Sequence, residues 1–203
     1  MTGMTAKPKR RWYQFSLSTL LVLMTAIAIG PGGWILYEQQ QARRQKRAVE
    51  LLSASGGEVY ARPVWLWSLL ERGSPGHVVG IGLRDRQTTD AGAAPLADLS
   101  DLIWLNLNDT RITDTGLSHV ANLRQLKRLR LDETQVTDVG LAQLAGLENL
   151  ETLNISRTDV SDVGLKHLAG LTNLKELDVA RTRVTDAGVA DLQFALPKLK
   201  ISR

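Results

Sequence analysis

The sequence predicts an α/β solenoid in which short parallel strands line the concave side and helices line the convex side, with an N-terminal transmembrane helix before it. The main observation is a 24-residue period, whose well-matched copies begin at Leu102, Leu126, Leu150 and Leu174. A fixed period in this range is typical of a solenoid, in which each unit buries its apolar face against the next. The second observation is a long uncharged stretch near the N-terminus.

Each copy follows the template L-x-x-L-x-L-x-x-T-x-[IV]-[TS]-D-x-G-[LV]-x-x-[LV]-x-x-L. A degraded copy begins at Val78, and the chain ends inside the strand of a sixth unit, one residue late because of an insertion between Phe194 and Pro197. The repeat domain is therefore expected to span residues 78–203.

The first part of each repeat predicts a strand. In Leu105-Asn106-Leu107 and its copies, apolar and polar residues alternate, which is typical of a half-buried strand. A threonine follows three residues later, at Thr110, Thr134, Thr158 and Thr182. Its hydroxyl is expected to hydrogen-bond backbone groups that the turn leaves unpaired inside the coil.

The second part of each repeat predicts a short helix. Its N-cap is Thr113, Thr137, Ser161 or Thr185, and the next residue is Asp114, Asp138, Asp162 or Asp186. A hydroxyl caps the helix, and the carboxylate favours its positive end. A metal or acid–base role for the aspartate column is the weaker alternative. The glycines Gly116, Gly140, Gly164 and Gly188 predict close approach of helix and strand.

The L-x-x-L-x-L strand signature resembles that of leucine-rich repeats, which implies this solenoid fold and a protein-binding role. The T-x-[IV]-[TS]-D-x-G-[LV] portion, as in Thr110–Leu117, resembles the cysteine-containing subtype best known from F-box proteins. This chain has no cysteine and no F-box-like helical segment, so an adaptor role in a ubiquitin ligase is not implied.

No charged residue lies between Arg11 and Glu38, which predicts a transmembrane anchor over residues 15–37. Aromatic residues at both ends suit the two membrane interfaces. The basic residues before it place residues 1–14 in the cytoplasm, although a second basic cluster follows the stretch and weakens that bias. A signal peptide cleaved near Ile29, giving a secreted repeat protein, and a buried helix remain alternatives.

The segment from Arg11 to Leu21, RWYQFSLSTLL, resembles the start of many planctomycete proteins, including short leucine-rich-repeat proteins with a Gly-Gly segment like Gly56-Gly57. This resemblance implies a bacterial envelope protein with its repeats on the periplasmic side. Residues 38–77 are expected to form a stalk helix and an N-terminal cap. That helix would end at Gly56-Gly57, and a short strand would follow.

Charge and composition exclude several functions. Residues 1–50 carry eight Lys or Arg against two acidic residues, whereas residues 51–203 carry 17 against 19. The repeats therefore lack the basic face of a nucleic-acid binder. The sequence contains no catalytic motif, and we expect no enzyme activity, cofactor or metal. His119 and His167 occupy equivalent positions two repeats apart, too distant to share a metal ion.

We expect the concave face to bind an unidentified protein partner, because its strand positions vary while the framework is constant. The candidate contacts are Trp104, Asn106, Arg128 and Arg130. Tryptophan and arginine are enriched at binding hot spots. Two alternatives remain open: Trp104 covers the cap junction and stacks on Arg128, or the solenoid is an assembly scaffold of the envelope.

Overall fold

The computed structural model describes residues 37, 39–62 and 77–203. The chain divides into two compact units, and the second, Gln41–Arg203, contains the repeats. Residues 1–14, nearly all of the expected anchor at 15–37, and residues 63–76 of the expected cap lie outside the described residues. In the part of the chain that is described, no helix has the length and apolar character needed to cross a bilayer.

The described residues form a sheet of seven strands in chain order. The strands are β1 (Glu58–Arg62), β2 (His77–Gly82), β3 (Trp104–Asn106), β4 (Arg128–Arg130), β5 (Thr152–Asn154), β6 (Glu176–Asp178) and β7 (Lys200–Ser202). From β2 to β7 every pairing is parallel, and paired residues are 24 apart, as in Leu105↔Leu129↔Leu153. This confirms the predicted α/β solenoid with stacked parallel strands.

The N-terminal side of the sheet is covered by a helix and an antiparallel strand. Helix α1 (residues 39–54) contributes Ala48 and Leu52 to the same core as the repeats. The chain then turns at Gly56, whose φ of 83° suits a residue without a Cβ. Strand β1 follows and pairs antiparallel with β2. Together, α1 and β1 bury the apolar end that the first repeat would otherwise expose.

Each repeat crosses to the other side through a short helix. These helices are α2 (Asp90–Ala93), α3 (Asp114–Leu117), α4 (Asp138–Gln143), α5 (Asp162–Lys166) and α6 (Asp186–Ala195), with 3₁₀ turns at Ala94–Asp98 and Leu144–Gly146. All five of these helices begin at the aspartate of the repeat, as predicted for the four well-matched copies. The helical part is shorter than the apolar pattern suggested: α3 ends at Leu117, and the buried Val120 and Leu123 lie in the turns that follow.

One apolar core runs through all the repeats. Leu105, Leu129 and Leu153 form one of its columns, and each is fully buried. Burying a leucine side chain contributes about 1.5–3 kcal/mol, so these columns supply the main stabilisation of the stack. The threonine column lies at the edge of this core, where Thr110 and Thr134 donate hydroxyl hydrogen bonds to the carbonyls of Leu107 and Leu131 at 2.6 and 2.7 Å. The predicted threonine ladder is thereby confirmed.

The last repeat absorbs its extra residue before β7. The turn before β7 is closed by a hydrogen bond from the N–H of Leu199 to the carbonyl of Leu196. The equivalent bond before β6 joins Leu174 to Leu171, so the two turns are 25 residues apart. In the strands, however, Ile201 pairs with Leu177 at the usual spacing of 24. The insertion therefore lengthens the helical side of the repeat, where α6 has ten residues, without shifting the sheet register.

Candidate interaction surface on the sheet

The alternation of each strand gives the sheet an outer face. Leucine and isoleucine side chains point to the core, so the residues on either side of them point outward. The outward positions of β2 to β7 are Gly80, Trp104, Arg128, Thr152, Glu176 and Lys200 in one row, and Gly82, Asn106, Arg130, Asn154, Asp178 and Ser202 in the other. We call these two rows the sheet face.

Trp104 leans over the glycines of β2. A Cβ atom on Gly80 would approach the indole Cε3 to 3.0 Å, and one on Gly82 would approach Cη2 to 3.6 Å. On the far side, the indole meets Tyr60 of β1 edge to face, with ring centroids 5.4 Å apart and an interplanar angle of 81°. Trp104 therefore covers the junction between the cap and the first strands, and its indole lies over β2.

Tyr60 is a surface aromatic that the sequence reasoning did not select. The residue is 50% exposed, and its hydroxyl donates to Glu58 Oε2 at 2.9 Å. The hydrogen bond to Glu58 raises the pKa of the Tyr60 phenol. The only sequence signal was the alternation of the short cap strand, which did not reveal that Tyr60 and Trp104 meet across β2.

Arg128 and Arg130 are both exposed on the outer face of β4. Their neighbours on β3 and β5 are uncharged, and neither arginine forms an ion pair with a described residue. Both guanidinium groups are therefore free to bind a partner. The structure brings them beside Trp104, as expected from the 24-residue register.

Asn106 does not serve as a surface contact, which corrects the expectation from the sequence. It is only 2% exposed, and its Oδ1 accepts a hydrogen bond from the N–H of Asn108 at 3.0 Å. Asn154 and Asp178 make the same contact with Ser156 and Ala180. A short polar side chain that bonds the backbone two residues on forms an Asx turn, which ends the strand. The buried Asn106 is therefore structural, whereas Asn154 and Asp178 are half-buried and give one side-chain oxygen to the turn.

The Thr/Ser–Asp pairs, expected to be caps within one repeat, also join neighbouring repeats. Thr137 Oγ1 accepts from the N–H of Val139 at 3.3 Å, which is the N-cap bond. Asp114 of the preceding repeat accepts from both the N–H and the hydroxyl of Thr137, at 2.8 and 2.6 Å. The same pair of bonds joins Asp90 to Thr113, Asp138 to Ser161 and Asp162 to Thr185. We call this row the aspartate ladder.

The repeat glycines make room for the aspartate ladder. A Cβ on Gly140 would collide with Oδ1 of Asp114, and Gly116, Gly164 and Gly188 face Asp90, Asp138 and Asp162 in the same way. The glycine therefore lets its own backbone lie against the aspartate carboxylate of the preceding repeat. The sequence had instead suggested that the glycine allows a helix and a strand to approach each other closely. Asp186, the last of the column, pairs instead with Arg203.

Charged residues beside the strands are paired between repeats. Glu151 lies between Lys127 and Lys175, with Nζ–carboxylate distances of 3.2 and 2.6 Å. Hydrogen bonds from Lys175 and Lys127 lower the pKa of Glu151. On the other side of the strands, Arg86 contacts Asp109, and Arg157 contacts Glu133. These rows connect neighbouring turns of the coil in the same direction as the aspartate ladder.

Among the described residues there is no group of three His, Cys, Asp or Glu side chains that could hold a metal ion. The carboxylates of the aspartate ladder already accept hydrogen bonds from the next repeat. This region therefore offers surface recognition by aromatic and cationic side chains and no arrangement of metal ligands.

Comparison with known proteins agrees with the repeat geometry. A family model described as "Leucine rich repeat" matches residues 124–184. The residues that it matches are therefore similar to leucine-rich repeats. The ectodomain of the receptor kinase SOBIR1 from Arabidopsis thaliana has the same fold, with a TM-score of 0.51 at 16% identity over 79% of this chain and 91% of that chain. No curated protein matches the sequence.

Two bacterial protein structures are also similar. Internalin C2 from Listeria monocytogenes is 31% identical over 62% of this chain, with a TM-score of 0.46. A leucine-rich-repeat protein from Leptospira interrogans is 19% identical over 54%, with a TM-score of 0.44. This chain spans only 61% and 27% of the lengths of these two proteins.

Proposed function

We propose that this chain is a membrane-tethered, non-catalytic module that binds a protein partner through the sheet face. Leucine-rich repeats generally serve as protein-interaction modules, since the stacked strands present an extended surface. The observation that carries the proposal is variation on a constant framework. The core positions 105, 129, 153 and 177 are all leucine, whereas the adjacent outward positions 104, 128, 152 and 176 are Trp, Arg, Thr and Glu.

The contact region we propose consists of Tyr60, Trp104, Arg128 and Arg130. It combines a rigid aromatic pair with two exposed arginines that have no acidic partner in the described part of the chain. Aromatic residues and arginine carry most of the binding energy at protein interfaces, because they bury a large area and retain directional contacts.

The binding experiment compares two variants of the full-length chain in pull-downs from membranes of the native cells, with partners first identified by proximity labelling. Arg128→Ala/Arg130→Ala removes two exposed side chains and leaves the Trp104–Tyr60 contact intact. Lys166→Ala is the matched control, because Lys166 is exposed on α5, away from the sheet face. We expect the double variant to lose the partner and the control to retain it. Equal recovery would contradict the proposal, and recovery of this chain alone would favour an assembly scaffold.

We also propose that residues 15–37 anchor the chain in a bacterial membrane, with residues 1–14 in the cytoplasm and the repeats on the periplasmic side. The support is the uncharged stretch and the basic residues before it. The planctomycete-like start of the sequence favours the same location. Intact-mass analysis of the membrane fraction tests the anchor, and a mature protein beginning near Ile29 would contradict it. Protease digestion of the repeats from the periplasmic side tests the orientation.

A further inference from the structure

From β4 to β6 the charges of the sheet face are separated by sign along the stack. Strand β4 presents two cations, Arg128 and Arg130, and β6 presents two carboxylates, Glu176 and Asp178. Strand β5 lies between them and is neutral at both outward positions, Thr152 and Asn154. On the other side of β4, the outward positions belong to Trp104 and the buried Asn106. From β3 to β6 the order is therefore aromatic, cationic, neutral and acidic, and Lys200 on β7 adds a cation beside Glu176.

These charges are not paired within the described part of the chain. Glu176 is exposed and lies beside Lys200 in the sheet register, yet the two side chains form no ion pair. Asp178 uses one oxygen for its Asx turn, and its other oxygen has no hydrogen bond to a described residue. In contrast, Glu151 one position before β5 bridges two lysines of adjacent repeats. Side chains of adjacent repeats are therefore close enough to form ion pairs, but Glu176 and Lys200 on the sheet face do not form one.

The strand spacing converts this order into a spacing for a ligand. Adjacent strands lie about 4.8 Å apart, so the cationic and acidic strands are separated by about 10 Å. A polypeptide crossing the strands in an extended conformation advances about 3.1–3.4 Å per residue, so it covers that distance in about three residues. The aromatic pair is reached one strand earlier, within one or two residues.

We propose that the partner presents an extended polypeptide segment across the strands, with opposite charges in a fixed order. A carboxylate side chain lies over Arg128 and Arg130, and a lysine or arginine two to four residues away lies over Glu176 and Asp178. An apolar or aromatic side chain on the other side of the carboxylate packs on Trp104 and Tyr60. This inference rests on the proposed function and specifies its partner.

A purely anionic ligand, such as a phosphate or a lipid headgroup, fits this surface less well. It would bind the arginines, but the carboxylates of β6 would repel it at about 10 Å. A peptide with both charges satisfies both strands, and charge complementarity of this kind selects partners and fixes their orientation.

The test is selection from a random library of linear peptides displayed on phage, against the full-length chain in detergent micelles. We expect the selected peptides to carry Asp or Glu two to four residues from Lys or Arg, with an apolar residue on the other side of the acid. Synthetic copies should bind at least tenfold more weakly to Arg128→Glu/Arg130→Glu. Replacing the acid of the peptide by Lys should restore binding to that variant. Glu176→Lys should weaken binding in the same way, and Lys166→Glu on α5 should have no effect.

Three results would overturn the inference: no enriched peptide, enriched peptides without the charge pattern, or equal binding to the wild-type and charge-reversed chains. Inorganic phosphate and anionic vesicles, added as competitors, distinguish a ligand that needs only the arginines. If either displaces the peptide from wild type and from Glu176→Lys equally, the acidic strand has no role and the inference fails. The pull-down tests the proposed function separately. That function is still supported if the double arginine variant loses the partner and Lys166→Ala retains it, even when the peptide selection fails.

Discussion

A single backbone position shows how the repeats are joined. The Asp–Gly spacing in each copy pairs the aspartate of one repeat with the glycine of the next, which lies against it. The carboxylate also accepts two hydrogen bonds from the N-cap residue of that next repeat. A group with two such charge-assisted bonds is costly to displace, because the N–H it satisfies would lose its partner. The glycine is therefore required by contact with the preceding unit.

Gly140→Ala should lower the free energy of unfolding by about 1–3 kcal/mol, because the new methyl displaces the Asp114 carboxylate. Gly146→Ala is the control: nothing lies within 4 Å of its Cβ position, so we expect no loss or a gain of about 0.4–1 kcal/mol. Urea denaturation measures both. In an Asp114→Ala background the cost of Gly140→Ala should shrink, and an unchanged cost would contradict the role assigned to the carboxylate.

Thr137→Ala should lower the free energy of unfolding by about 0.5–2 kcal/mol, because it removes the N-cap acceptor of α4. The same change leaves Asp114 Oδ2 without its donor. Thr137→Ser keeps the hydroxyl, and serine already occupies the equivalent position 161, so it should be close to neutral. Binding to the partner should be unchanged in both variants. Loss of binding at unchanged stability would instead assign Thr137 to the interaction surface.

Sequence reasoning succeeded at the residue level wherever the relevant contact lies within one repeat. The N-cap hydroxyl of Thr137 and the hydroxyl of Thr110 bond groups two and three residues away, so a local pattern reveals them. Asp114 and Gly140 meet only because the coil brings positions 26 apart into contact. For Asn106, the strand alternation predicted correctly which side of the sheet the residue occupies. Its Asx turn and its burial could be seen only in the structure.

At the level of elements, the strands were more predictable than the helices. Strand register follows from the period alone, because a shift by one residue would move every leucine from the core to the surface. The helices are short and continue as turns, as where α3 ends at Leu117 although Val120 and Leu123 remain buried. Burial in the core determines where Val120 and Leu123 lie, but it does not require a continuous α-helix between them. The backbone can therefore form tighter turns there.

Acid should weaken the contact between α5 and the last repeat. Hydrogen bonds from the hydroxyl and then the backbone N–H of Thr185 lower the pKa of Asp162. A carboxyl whose pKa is lower in the folded state stabilises the protein above its unfolded-state pKa, and this contribution is lost as the pH falls through the folded-state pKa. The free energy of unfolding should therefore fall as the pH drops below about 4, near the ordinary aspartate range.

The control for this acid effect is Asp162→Asn, which cannot titrate. It should be less stable than wild type at pH 7 and should lose less stability between pH 5 and pH 3. Asp191→Asn changes an exposed carboxyl on α6 and should keep the wild-type dependence. Denaturation curves at several pH values give the slope of the free energy of unfolding against pH. Identical slopes for wild type and Asp162→Asn would show that Asp162 does not cause the acid effect.

The whole repeat domain depends on contacts between sequence neighbours. Every parallel strand pairs only with the strands of the adjacent repeats, and the aspartate ladder and the lysine–glutamate row follow the same order. Stability of such a stack is approximately a sum of repeat terms and nearest-neighbour interface terms. A central repeat carries two parallel interfaces, whereas the repeat that ends with β7 carries one, so equivalent substitutions should have unequal effects.

Leu153→Ala and Ile201→Ala test this dependence, because both residues occupy the same core position, on β5 and β7. Leu153 is fully buried, so its truncation should cost about 2–5 kcal/mol and weaken both neighbouring interfaces. Ile201 is only partly buried and contacts one neighbour, so its truncation should cost less.

Urea denaturation should show a lower m-value for Leu153→Ala, because splitting the stack lets one part unfold before the other. Hydrogen exchange should then speed up on both sides of β5 in Leu153→Ala, and only near β7 in Ile201→Ala. Equal costs with unchanged m-values would contradict nearest-neighbour coupling and indicate that the repeat domain unfolds as one cooperative unit.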